Sequence, residues 1–115
     1  MAIDKNQGIL KTLHNCAAAC HYCASSCLDE PTVQHLTTCI KIDLDCADIC
    51  TTTAAFVARI SPHAPHLMKE CTEICLACAR ECDKHAAMGM EHCRLCAEAC
   101  RQCAEACSLY IGSAA

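Results

Sequence analysis

The chain has 115 residues, of which sixteen are cysteine and three are aromatic (two Tyr, one Phe, no Trp). Nine basic residues against thirteen acidic ones give a net charge of −4 with no basic cluster, which argues against nucleic acid as a partner. No run of about 18 apolar residues occurs, so no membrane span is expected. The opening Met1-Ala-Ile-Asp-Lys-Asn-Gln-Gly lacks the pattern of an export leader, and a cytoplasmic location with reduced thiols is expected.

Helix is predicted nearly end to end, because Gly and Pro number three each and fall at the ends or in short gaps. The first helix spans 4–28 and stops at Asp29-Glu30-Pro31-Thr32, where Pro31 suits the first turn of a second helix over 32–60. Ser61-Pro62-His63-Ala64-Pro65 follows, with Ser61 as the cap of a third helix over 64–86. In Ala87-Met88-Gly89-Met90 the glycine takes the left-handed conformation that ends a helix, and a fourth helix covers 90–111. Connections this short make neighbours antiparallel. The expected fold is all-α, an antiparallel up-down-up-down four-helix bundle with a cysteine-lined core, forming a single domain over 1–115.

Cysteine spacing supports the helices. Cys16, Cys20, Cys23 and Cys27 are spaced 4, 3, 4, and Cys71, Cys75, Cys78 and Cys82 repeat that pattern. Cys39, Cys46 and Cys50 lie on the second helix, and Cys93, Cys96, Cys100, Cys103 and Cys107 on the fourth. Alternating threes and fours place all sixteen on inward stripes. Extended, these stripes gather Ile9, Leu13, Phe56, Val57, Ile60, Leu67, Met68, Leu109, Tyr110 and Ile111 into an apolar plug at one end. The opposite end collects Cys27, His35, Cys39, Cys82, His85, Met88, Met90, His92 and Cys93 as a mouth. Asp43 stands on the cysteine stripe, where packing alone calls for an apolar side chain.

Core filling does not account for sixteen inward cysteines, because Leu and Ile make a more stable bundle at such sites. Within-helix disulfides are strained, since Cβ atoms three or four residues apart are about 5–6 Å distant where a disulfide wants about 3.8 Å. Thiolates select Cu(I), zinc or iron–sulfur clusters. The four C-x-x-C pairs are joined by seven C-x-x-x-C pairs into unbroken ladders, which is not the loop-borne knuckle of a zinc site or the compact run of an iron–sulfur site. Cu(I) accepts two or three bridging thiolates and offsets one buried negative charge per ion, so multiple ions, roughly one per cysteine, are expected.

The C-x3-C-x2-C-x3-C runs over 16–27 and 71–82, the segment Cys39-Ile-Lys-Ile-Asp-Leu-Asp-Cys-Ala-Asp-Ile-Cys50, and the closing ladder over 93–107 resemble the bacterial cytosolic copper storage proteins. The resemblance covers nearly the whole chain. It implies a four-helix bundle that fills its interior with cuprous ions through one open end, and assembly into a homotetramer.

Beyond the sixteen cysteines, His35, His85, Met88, Met90 and His92 are candidate ligands at the mouth, and Asp43 is a candidate ligand-adjacent group in the core. His63, His66 and Met68 belong to the plugged end and read as structural; His14 and His21 lie off the stripe. The leading function is storage or detoxification of Cu(I) without catalysis, with copper chaperones or low-molecular-weight thiols as exchange partners. The alternatives are zinc or general soft-metal buffering, and a thiol-redox protein, although no cysteine has a distinctively electropositive, exposed setting.

Overall fold

Repeated three- and four-residue spacing of small sulfur-bearing side chains lets four helices approach closely around one shared seam. In the computed structural model these are α1 (Ala2–Leu28), α2 (Thr37–Ala58), α3 (Ala64–Ala86) and α4 (Glu91–Ala114). The structure describes residues 2–114, with side chains over 6–112; Met1 and Ala115, the ends of the expected domain, lie outside the described residues. Each helix packs on its sequence neighbours and α1 closes against α4, giving the expected up-down-up-down bundle, 48 × 20 × 19 Å in extent.

The first connection differs from expectation. Residues 32–36 do not open α2; Val33–His35 forms a separate 3-10 turn, and α2 begins at Thr37. Three-residue closures run through it: Val33 N–H donates to Glu30 O, His35 N–H to Thr32 O, and Leu36 N–H to Val33 O. Leu36, at φ −112° and ψ 6°, breaks the helical path and is buried. Burying that side chain outweighs the hydrogen bonds of one more helical turn back to Pro31.

Two helices end in the same device. After α2, Ile60 N–H donates to Val57 O and Ser61 N–H to Phe56 O; after α3, Gly89 N–H donates to Ala86 O and Met90 N–H to His85 O. Both are Schellman closures, which need a left-handed residue. Gly89 supplies it at φ 94°, as the sequence predicts, whereas after α2 the role falls to Ile60 at φ 54°. This ends α2 at Ala58 rather than 60 and leaves Ile60 57% exposed instead of in the plug. Leu109 is likewise exposed. Ser61 does not cap α3 directly: its hydroxyl accepts from His63 N–H at 3.1 Å, and His63 is the capping residue.

The plug forms from Ile9, Leu13, Val57 and Met68, all buried, with Phe56, Tyr110 and Ile111 partly buried against them. Each buried Leu, Val or Met contributes about 1.5–3 kcal/mol relative to exposure. The plug also carries a polar tie. Asn6 is buried; its Nδ2 donates to Val57 O at 3.4 Å, and Tyr110 OH donates to its Oδ1 at 2.8 Å. One side chain of α1 thereby holds α2 and α4 at the closed end.

Candidate metal centre

All sixteen cysteines are buried and none is in a disulfide. Halfway along the bundle, Cys16, Cys46, Cys75 and Cys100 contribute one sulfur from each helix. Cys16 Sγ lies 3.9 Å from Cys46, 4.0 Å from Cys75 and 3.9 Å from Cys100, while Cys46 lies 3.6 Å from Cys75 and 3.8 Å from Cys100. Sulfurs therefore meet across both diagonals as well as between neighbouring helices. Larger side chains at these positions would hold the helices apart.

Toward the plug, Cys50 lies 3.7 Å from Cys71 and 3.8 Å from both Cys75 and Cys103. Cys107 lies nearest the plug, its thiol pushed up by Cys103, Cys71 and burial. Toward the mouth, Cys20 lies 3.7 Å from Cys100 and 3.8 Å from Cys96. The sulfurs of Cys23, Cys27, Cys39 and Cys93 all fall within 4.8 Å of one another, as do those of Cys20, Cys78, Cys96 and Cys100. The sulfurs thus form a group at the mouth and a longer inner group, with Asp43 touching both.

Asp43 interrupts the sulfurs near the mouth. Its Oδ1 accepts from the thiols of Cys78 at 3.2 Å, Cys96 at 3.4 Å and Cys82 at 3.5 Å, and Oδ2 lies 3.8 Å from Cys39 Sγ. Burial, then the nearby Cys96 and Cys39, push its carboxyl up to about 8. Burial opposes the thiolate at the cysteines too. It raises Cys27, with help from Cys39 and Asp43, to about 12. The metal-free core is therefore held by shared protons, and neutral thiols pack in it as small hydrophobes.

At the mouth, the ring of His92 faces three sulfurs: Nδ1 lies 3.5 Å from Cys93, 3.7 Å from Cys23 and 3.8 Å from Cys27. The sequence reading placed His92 here, and the first turn of α4 delivers it. The other candidates divide. His85 Nε2 lies 3.0 Å from Glu81 Oε2, one helical turn earlier on α3. Met90 packs against the core from a half-buried position, whereas Met88 is 79% exposed and His35 is exposed on the 3-10 turn. Sequence reasoning missed Glu30, whose Oε1 lies 3.5 Å from His92 Nε2, and Asn6 in the plug. The heptad steps from Asn6 to Leu13, Cys20 and Cys27 could have revealed Asn6.

Fold and site together define a helical bundle whose interior gathers sulfurs suited to a soft metal ion. The chain belongs to the copper storage protein family, whose model matches residues 2–112. It is similar to a cytosolic copper storage protein from Streptomyces lividans solved with five coppers, at 45% identity and a TM-score of 0.87, over 90% of this chain and 89% of that one. It is also similar to the Cu(I)-bound copper storage protein BsCsp3, at 37% identity and a TM-score of 0.83, over 90% of this chain and 94% of that one. Among curated relatives, the cysteine-rich protein YhjQ of Bacillus subtilis (strain 168) is 37% identical over 80 residues, covering 70% of this chain and 74% of that protein.

Proposed function

We propose that this chain, acting over 1–115 as one domain, stores Cu(I) in the cytoplasm at high capacity, as a reserve or as protection, and catalyses no reaction. The observation that carries this reading is the set of sixteen buried cysteines distributed from mouth to plug. Each cuprous ion that binds displaces a thiol proton, so a core with roughly one ion per bridging thiolate stays neutral however full it becomes.

Zinc fits the same four-sulfur groups less well. Four thiolates around one Zn²⁺ leave a net charge of about −2 at each site, buried and unpaired. A thiol-redox role is disfavoured because every sulfur is buried, and thiolate attack needs access.

Cuprous ions pass from His92 to Cys23, Cys27, Cys39, Cys82 and Cys93, then by ligand exchange past Asp43 to Cys78 and Cys96, and inward along the remaining cysteines. His35, His85, Met88 and Met90 form the outer ring of the mouth, with low-molecular-weight thiols or a copper chaperone as donor. Association into a homotetramer is what the resemblance to the copper storage proteins implies.

The test is anaerobic titration of the reduced apoprotein with Cu(I), following sulfur-to-metal absorption. A break well above four ions per chain is expected. Saturation at four or fewer, or displacement of Cu(I) by zinc in competition, would overturn the reading.

A further inference from the structure

We propose that Glu30 is a positioning residue for copper loading: its carboxylate holds His92 in the tautomer that leaves Nδ1 as a bare lone pair facing the mouth sulfurs. This rests on the storage reading above. His92 is buried to the point that its side chain is 12% exposed, and its two ring nitrogens meet opposite surroundings. Nδ1 faces Cys93, Cys23 and Cys27, while Nε2 has no hydrogen-bond partner within bonding geometry and lies 3.5 Å from Glu30 Oε1.

A neutral imidazole carries one N–H. With the proton on Nδ1, the Nε2 lone pair would point at a carboxylate, and both acceptors would stay unpaired. With the proton on Nε2, that N–H is donated to Glu30, and Nδ1 is free to accept from a thiol or to take a cuprous ion. A carboxylate behind a metal-ligating histidine fixes ring orientation and tautomer in this way. The 3.5 Å separation closes with a small swing of Glu30, whose side chain is 32% exposed.

The backbone prepares the contact. Glu30 N–H donates to Cys27 O at 3.2 Å, and Glu30 O accepts from Val33 N–H at 3.2 Å. The backbone of Glu30 is therefore held between a mouth cysteine and the 3-10 turn, and its side chain reaches the start of α4 from the end of the adjoining α1.

The test uses the full-length reduced apoprotein with nitrogen-labelled histidine at about pH 8, above the imidazole range. Long-range proton–nitrogen correlation reads the His92 tautomer directly. The Nε2–H form is expected in the wild type and in Glu30→Gln, whose amide oxygen accepts the same bond, and a mixture in Glu30→Ala. Stopped-flow uptake of the first equivalent from a Cu(I)–glutathione complex is expected to slow about tenfold in Glu30→Ala. It should stay within about twofold in Glu30→Gln, with final capacity equal in all three proteins. A wild-type His92 in the Nδ1–H form, or a Glu30→Ala protein matching wild type in both readouts, would overturn the proposal. The expected tautomers together with a wild-type capacity of four ions or fewer would uphold the positioning role and overturn storage.

Discussion

Asp43 Oδ1 accepts a hydrogen bond from the Cys78 thiol at 3.2 Å, in a part of the core where every other inward group nearby is sulfur. The carboxyl is held up to about 8, well above its unfolded value near 3.9, so the folded apoprotein keeps a proton that the unfolded chain releases. Its stabilising effect is complete below about pH 4 and is lost progressively as pH rises through 8. Urea unfolding of reduced apoprotein should show stability falling by up to about 1.4 kcal/mol per pH unit across that window. Asp43→Asn should flatten the dependence; an unchanged slope in that variant would place the titrating group elsewhere.

The His92 ring nitrogen lies within 3.8 Å of three mouth sulfurs. His92→Ala alone should therefore slow uptake of the first cuprous equivalent about tenfold. Met88→Ala and His35→Ala, at exposed positions, should leave the rate within about twofold. Stopped-flow absorption against a thiol-bound Cu(I) donor measures all three, and equal slowing by Met88→Ala would move the mouth.

Cys46 and Cys75 lie 3.6 Å apart in the central layer. Replacing both with alanine should lower saturation by about two cuprous ions and leave the rest of the array loadable. The small voids left behind should cost about 1–3 kcal/mol of apoprotein stability. Capacity by titration and stability by thermal melting separate the two effects, and a collapse of capacity to a few ions would show that filling depends on this layer.

Ile60 closes α2 in a conformation that suits glycine, and burial returns little there because the side chain is largely exposed. Ile60→Gly should raise stability by about 1 kcal/mol, the relief of left-handed strain exceeding the extra freedom of the unfolded chain. A urea midpoint equal to or below wild type would show that the side chain contributes packing that offsets the strain.

The bundle was readable because its chemistry follows helical period. Sixteen cysteines at threes and fours could only line one seam, and Asp43 stood out as the charged residue in that register. Helix ends were less legible. Burial of Leu36 moved the start of α2, and a left-handed Ile60 cannot be seen in a periodic pattern that continues through it. At the mouth, His92 was legible by its place beside Cys93. Its partnership with Glu30 was not, because the two lie 62 positions apart and the bundle end brings them together.

The sulfurs that touch across both diagonals fix how this architecture can grow. At the central level the seam takes one sulfur from each helix, and a wider seam would pull the sulfurs out of bridging range. Holding capacity is therefore a property of length: every added heptad brings about two inward positions per helix. A chain of this kind enlarges its reservoir as a column gains storeys, by repetition along one axis, and a single inserted residue that shifts the register would cost it every level beyond.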